Sequence, residues 1–390
     1  MRLLMLITSL AGGGAERCAS ELSLGLGPGI ERELVTLLDR RSYPIKDNVT
    51  CLGLRLEPLT FFSLLAGLFL GVIRYRRVVK EYSPDVSLSF LMLDNAINVL
   101  SNVGNRRIKK VVSVHIALSE KFKSPLARAF ARVYFYLLGR GADMVIAVSN
   151  GVRDELVGEF HVDPAKVKVL FNPTDVKLIE KLAGECVDDE GWCSDGTPFI
   201  MNVGRLTRQK GQSHLIRAFS RVRKHRECKL VIRGDGEYRE YLQGLADGLG
   251  ISGDVTFLGW KENPYKYISR SSVFILSSLW EALPYALIES MACGRPVIST
   301  DCKYGPREIL KNGACGILVP PMDGILHEAS DPLTPEEEAL ADAMVRLLDD
   351  EALRKGYAER AKERAGDFDK ARIMEEYESF IFRMGEAGGV

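Results

Sequence analysis

Two glutamates separated by seven residues carry the most specific chemistry in this chain. They bound the run Glu281-Ala-Leu-Pro-Tyr-Ala-Leu-Ile-Glu289, which continues as Ser290-Met-Ala-Cys-Gly-Arg-Pro-Val297. Pro284 suits the first turn of a helix, where its missing N–H costs nothing. Glu281 then lies in the loop before that helix and Glu289 about one turn inside it. Two carboxylates around a helix start are odd for an anion site unless they bind neutral hydroxyls, which a sugar supplies. A second constellation, Gly204-Arg205-Leu206-Thr207-Arg208-Gln209-Lys210-Gly211, puts Arg205 and Lys210 just after an apolar run. A guanidinium matches planar oxyanion geometry and an ammonium acts as a mobile point charge, so both suit a phosphate. A third, Gly12-Gly13-Gly14-Ala15-Glu16-Arg17, lets a ligand approach the backbone and offers helix N-terminal amides to an anion. Arg17 stands where the dinucleotide fingerprint needs its third glycine, and no G-x-x-x-x-G-K-[ST] loop occurs, which excludes an ordinary P-loop nucleotidase.

His115 ends another apolar run, residues 110–114, and is expected to project from the end of a strand. The other four histidines, His161, His214, His225 and His327, lie in polar or helical contexts and are expected at the surface. A literal D-x-D, Asp367-Phe-Asp369, precedes the last amphipathic segment and reads as a helix start, so no metal is expected.

Short apolar runs rich in β-branched residues must position these residues. They recur at residues 3–8, 33–37, 86–90, 110–114, 144–148 and 167–171, with longer amphipathic segments such as 15–26 and 126–138 between them. Strands alternating with helices mean βαβ units and a parallel sheet. The same pattern restarts after a polar stretch at 184–197, with strands expected at 199–203, 229–233, 255–258, 273–277, 296–300 and 316–319. Parallel sheets bind ligands at the carboxyl ends of their strands. The expected organisation is therefore α/β: two tandem, doubly wound Rossmann-like domains, 1–175 and 196–368, facing across a cleft. A last helix in 369–390 returns toward the first domain.

Composition narrows the function classes. The 390 residues carry 52 basic and 52 acidic side chains, a formal charge of zero, which argues against a wholesale nucleic-acid binder. The balance is uneven: residues 1–175 hold 23 basic against 17 acidic side chains, leaving 29 against 35 for the remainder. Nine cations and one acid, Glu120, fall between Arg106 and Arg140. Eight cysteines without a C-x-x-C pair read as reduced thiols of a cytosolic protein, and the apolar N-terminus runs into Gly12 without a cleavage pattern. Residues 58–73 are free of charge but too short to span a bilayer, which needs about 20 apolar residues.

Taken in order and spacing, Gly13-Gly14, Arg205, Lys210 and Glu281-x7-Glu289, with the downstream Met291-Ala292-Cys293-Gly294-Arg295-Pro296-Val297, resemble family-4 retaining glycosyltransferases of the GT-B fold. Ala147-Val148-Ser149-Asn150 and Asn172-Pro173 extend the likeness over nearly the whole chain. The resemblance implies that amides around Gly13 and Gly14 meet the donor phosphate and the acceptor side. It implies that Arg205 and Lys210 hold the diphosphate leaving group. Glu281 and the amides of Leu283 and Tyr285 address the donor sugar, with Pro284, Ala286 and Leu287 among the binding residues. Glu289 takes the ribose hydroxyls. Gly234-Asp235-Gly236 and the loop carrying Gly259, Trp260 and Lys261 wall in the nucleotide, and His115 positions the sugar. Two departures, Ala282 for the usual Gly and Leu283-Pro284-Tyr285 for a Phe-Gly type continuation, prevent a simple transfer of sugar preference.

The implied reaction moves a hexosyl group from a nucleotide diphosphate sugar, UDP-linked, without a cofactor. Residues 301–310 look like the corresponding segment of members that transfer N-acetylhexosamines onto bacterial surface glycans. In the family the first domain binds the acceptor. Together with its cations and its amphipathic helices, this points to a glycan or polyprenyl-diphosphate-linked acceptor and a peripheral, cytoplasmic position on an anionic inner membrane face. A sugar-nucleotide 2-epimerase of the same fold is the alternative reading, ahead of a dinucleotide-dependent dehydrogenase.

Overall fold

The computed structural model describes residues 1–46, 48–57, 60–187 and 196–386. The chain divides into two compact units, Met1–Pro173 together with the segment from Lys370 onward, and Thr174–Asp369. Pro58 and Leu59 of the charge-free run, and Cys193 with most of the polar stretch, lie outside the described residues.

In the first unit, β1 (Arg2–Ile7) is buried along its last five residues, as a central strand covered on both faces must be. It leads into α1 (Gly14–Gly25) and β2 (Glu31–Thr36). Next come β3 (Asn48–Cys51), α2 (Phe61–Tyr82), β4 (Val86–Ser89), α3 (Met92–Ser101) and β5 (Lys109–Val114). The short α4 (Leu118–Lys121), α5 (Pro125–Gly141), β6 (Met144–Ala147), α6 (Asn150–Gly158) and β7 (Val167–Val169) complete the series. The strands pair in the order β3-β2-β1-β4-β5-β6-β7, all in parallel. β3 escapes the sequence pattern because this four-residue edge strand has no fully buried position. Local chemistry fixes the helix starts. Thr60 and Ser63 form a reciprocal capping box at α2, and Ser124 caps α5 ahead of Pro125. Leu4 and Leu6 pack toward α2, whereas Leu3, Met5 and Ile7 pack toward α1 on the opposite face of the sheet.

In the second unit, α7 (Val176–Ala183) precedes β8 (Phe199–Val203), α8 (Gln212–His225), β9 (Lys229–Arg233) and α9 (Arg239–Gly248). Then follow β10 (Val255–Gly259), α10 (Tyr265–Ile268), β11 (Val273–Leu276), α11 (Tyr285–Ala292) and β12 (Val297–Thr300). The short α12 (Pro306–Ile309), β13 (Ile317–Val319), α13 (Pro335–Asp349) and α14 (Glu351–Ala365) close the unit. The six strands run β10-β9-β8-β11-β12-β13, again all parallel.

α8 corrects one expectation. Ten of its fourteen residues are buried, among them His214, which is not a surface residue. The imidazole is tolerated there because Nδ1 lies 2.8 Å from Glu337 Oε1 on α13 and Nε2 lies 3.6 Å from Asp323 Oδ1. Arg217, fully buried, binds the same Glu337 carboxylate at 3.0 Å. His161 and His225 are exposed, and His327 is half-buried beside Asp323.

The last described element is α15 (Lys370–Glu386), which packs on α1 of the first unit through Ile373, Met374, Tyr377, Phe380 and Ile381. Glu378 accepts from the Gly27 amide at 2.5 Å, and Lys370 pairs with Glu21 at 2.7 Å. The D-x-D lies just ahead of it. Asp367 pairs with Arg364 and Lys311, and the described residues contain no cluster of three or more metal-type ligands.

Candidate active site

In each sheet the strand order reverses once, between β1 and β4 in the first unit and between β8 and β11 in the second. Loops on either side of such a reversal splay apart at the carboxyl ends of the strands and leave room for a ligand. Most of the residues singled out by sequence fall on these loops.

In the second unit the loops after β8 and β11 are laced together. The Leu279 amide donates to Gln209 O at 2.8 Å, the Gln209 carboxamide donates to Trp280 O at 2.9 Å, and Ser277 Oγ donates to Lys210 O at 2.8 Å. Gly211 is required here: its φ is +59°, and a Cβ would stand 2.2 Å from Ser277 O. Lys210 Nζ lies 2.5 Å from Glu281 Oε1, which also accepts from Ser278 Oγ at 2.7 Å. Both members of the pair are largely buried, Glu281 more than Lys210. The Glu281 backbone is held in turn by the loop after β12, donating to Lys303 O at 2.6 Å and accepting from the Tyr304 amide at 2.9 Å. Arg205 differs: its side chain is exposed and makes no ion pair among the described residues, so its guanidinium is available to an incoming anion. Arg208, the third cation of the loop, binds Gly324 O at 2.9 Å and braces the segment after β13.

The loops after β9 and β10 complete this edge. The Gly234 amide donates to Gly259 O at 3.0 Å, and the Leu206 amide donates to Asp235 O at 2.9 Å. Gly234 has φ +146° and a Cβ there would stand 1.9 Å from Gly204 O, so only glycine lets these loops close on one another. Trp260 is 70% exposed and lies over the guanidinium of buried Arg233, 4.0 Å from ring centroid to Cζ. Arg233 also donates to Lys261 O.

Pro284 precedes α11 as its cap residue and not its first helical residue, and Glu289 is the fifth residue of the helix. Glu289 Oε1 accepts from Tyr265 OH at 2.7 Å. Ala282 and Leu283 are almost buried, while Tyr285 and Ala286 keep partial exposure. Leu287 does not belong with them. Its side chain is fully buried in the core and its amide is spent on Pro284 O at 3.2 Å, because the helical period turns it inward.

The first unit repeats the principle with different chemistry. Asp94, on the first turn of α3 after β4, reaches across the order reversal to Thr8 after β1. Its carboxylate accepts from the Thr8 amide at 2.9 Å and from Thr8 Oγ1 at 2.7 Å. Burial pushes its pKa up to about 8, an effect the Thr8 and Leu91 hydrogen bonds only partly oppose. Gly13 caps α1 and Gly14 opens it, with the Glu16 carboxylate packed over the Gly13 Cα. His115 follows β5. Its Nε2 lies 2.9 Å from Ser113 Oγ, its ring is 5.8 Å from that of Phe90, and its buried Nδ1 has no hydrogen-bond partner among the described residues. Desolvation drives its pKa down to about 3, so the ring is neutral at physiological pH. Glu155 on α6 fixes the turn that carries it, accepting from the Leu118 and Ser119 amides at 2.8 Å each.

Sequence reasoning missed Asp94 and Glu155. Asp94 had a signal, a lone acid in the apolar stretch that follows a strand. Glu155 had none, because its partners lie 36 and 37 residues away.

Comparison with known proteins agrees with this layout. Residues 12–178 match the model for Glycosyltransferase Family 4, and residues 193–364 match that for Glycosyl transferases group 1. An uncharacterized glycosyltransferase of Methanocaldococcus jannaschii is 35% identical over 78% of this chain and 81% of its own length. The N-acetylgalactosamine-N,N'-diacetylbacillosaminyl-diphospho-undecaprenol 4-alpha-N-acetylgalactosaminyltransferase of Campylobacter jejuni is 30% identical over 95% of this chain and 97% of its own. Among solved structures, HepE of Anabaena in complex with UDP superposes with a TM-score of 0.77 at 20% identity, covering 98% of this chain and 100% of that one, which establishes the GT-B fold. Family models match both halves of the chain in sequence order and a 30% identical relative spans 95% of it, so the chain belongs to the family 4 glycosyltransferases.

Proposed function

We propose that the protein is a retaining, metal-independent transferase that moves a hexosyl group, an N-acetylhexosaminyl group by the likeness of residues 301–310, from a UDP-sugar to a lipid-linked glycan. The observation that carries this reading is the Lys210–Glu281 pair beside the free guanidinium of Arg205, set at the order reversal of the second sheet. Breaking the anomeric C–O bond sends its electron pair to a diphosphate oxygen. Arg205 and Lys210 supply fixed positive charge for that oxygen, the kind of preorganised electrostatics that often dominates catalysis. The acceptor hydroxyl oxygen bonds to the anomeric carbon on the face the diphosphate leaves, and its proton passes to the departing phosphate oxygen. No protein nucleophile is needed, and the two side-chain cations do the work of a divalent ion.

The donor reading is supported by the UDP held by HepE, and the acceptor reading by the diphospho-undecaprenol glycan in the name of the Campylobacter relative. With a lipid-linked acceptor, the position we propose for the enzyme is peripheral, at the cytoplasmic face of the membrane. No helix among the described residues is long and apolar enough to cross a membrane.

A thermal-shift panel of UDP, GDP, ADP and NAD, followed by transfer from the preferred sugar nucleotide with the product anomer assigned by NMR, tests this reading. Stabilisation by UDP, an α-linked product from an α-donor and turnover unaffected by EDTA are expected. Stabilisation by NAD alone would restore the dehydrogenase reading. Epimerised sugar nucleotide without transfer would establish the 2-epimerase.

A further inference from the structure

Two helices of the first unit are apolar on their outward face as well as on the face they bury. A surface helix ordinarily keeps apolar residues inward at the 3.6 period and polar ones outward. On α2 the outward positions Phe62, Leu65, Phe69 and Ile73 form a stripe at i, i+3, i+7 and i+11, with Phe62 and Phe69 80% and 67% exposed. On α5 the stripe is Leu126, Phe130, Val133 and Leu137, with Leu126 and Phe130 83% and 65% exposed. Both helices pack against α3, whose end adds exposed Leu100 and Val103 next to it.

Cations predominate along these two helices. No acidic residue occurs from 58 to 80 or from 121 to 142, whereas Arg77, Lys80, Arg106, Arg107, Arg132 and Arg140 are all exposed. Arg132 donates to the Glu159 carbonyl and Arg140 to the Tyr136 hydroxyl, both uncharged acceptors.

We infer that α2, α5 and the end of α3 form a docking face for an anionic phospholipid bilayer, with the apolar stripes entering the headgroup–acyl boundary and the cations meeting lipid phosphates. Helices with an apolar face and cationic flanks lie in the interface and do not cross it. A second copy of the chain fits less well, because a self-complementary contact would set cations against cations, with Glu81 the only acid on α2 and none on α5 to offset them. This surface specifies the membrane partner of the reading above and rests on it only in assigning the bilayer as the place where the acceptor is met.

Flotation of the full-length protein with vesicles of phosphatidylglycerol or of phosphatidylcholine, across a salt series, tests the surface apart from the chemistry. Wild type should partition at least 10-fold more strongly into the anionic vesicles at low salt and lose that excess as salt rises. The double variant Phe69→Glu/Phe130→Glu should lose 10-fold or more of this binding, with its Tm and its hydrolysis of UDP-sugar donor unchanged. Absence of flotation with anionic vesicles, wild-type flotation by the variant, or a wild-type dimer that the variant converts to monomer without any vesicle binding would each overturn the proposal. Flotation without transferase activity would leave the docking face standing and remove only the functional reading.

Discussion

Lys210 and Glu281 hold one another across the strand-order reversal of the second sheet, Nζ to Oε1 at 2.5 Å, although 71 residues separate them. The contact makes each residue the other's structural support as well as a candidate for separate work on the donor. Removing one partner of a buried pair leaves an uncompensated charge and costs about 3–5 kcal/mol, while replacing both costs far less. Lys210→Met should therefore lower the Tm of the second unit. Lys210→Met/Glu281→Gln should recover much of that loss by thermal denaturation, while turnover stays at least 100-fold down in both. Recovery of turnover together with stability would mean that neither charge acts on the substrate.

Glu155 should tune catalysis through His115. Its carboxylate occupies the two amides that end the His115 turn, so Glu155→Ala frees the turn and leaves two buried donors unsatisfied. We expect kcat to fall about 10- to 100-fold with little change in donor KM, because the nucleotide is assigned to the second unit. In a His115→Ala background the same substitution should add almost nothing to the loss of kcat. Additive losses would reduce Glu155 to a purely structural residue.

Asp94 sets a sign for the pH dependence of the first unit. Its folded pKa, pushed up to about 8, lies above the unfolded carboxylate value, so its stabilising share is full at low pH and disappears as pH rises through 8. His115 has the opposite sign: its pKa near 3 lies below the unfolded value, and stability falls as pH drops from about 6.5 toward 3. Of these two groups, Asp94 alone acts between pH 6.5 and 8. Over that window wild type should lose about 2 kcal/mol relative to Asp94→Asn, at about 1.4 kcal/mol per pH unit. For a unit of this size that is a Tm difference of roughly 4–8 °C. Parallel Tm profiles for the two proteins would show that Asp94 ionises freely.

What could be read without a structure follows from how local each feature is. The central strands announced themselves because parallel sheets bury both faces and so select unbroken apolar runs, as Val273–Leu276 shows with all four residues buried. β3 did not, since an edge strand needs no such run. His214 was misplaced because polarity in a helix normally marks solvent, and only the fold could supply Glu337 as its buried partner. The cations after β8 were visible together, yet only packing separates Arg208, tied to Gly324, from the free Arg205. Leu287 sat within the paired-glutamate motif by spacing, and one turn of helix takes its side chain into the core.

Trp260 offers the sharpest test of the proposed donor base site. Its indole rests on the Arg233 guanidinium at 4.0 Å, which fixes the ring plane while leaving it 70% exposed. Arg233 cannot follow a departing base, because it is buried and holds Lys261 O. A flat, cation-backed ring open to solvent is a stacking platform, and stacking a base on an aromatic side chain contributes about 1–3 kcal/mol. Trp260→Ala should therefore raise donor KM roughly 5- to 150-fold with kcat nearly unchanged. Trp260→Phe should restore most of the affinity, since a smaller π-face still stacks. Stability should move little, because the indole is exposed and its cation–π contact is worth only about 0.5–1 kcal/mol. An unchanged KM in the alanine variant, measured alongside UDP binding by calorimetry, would take the base off this ring.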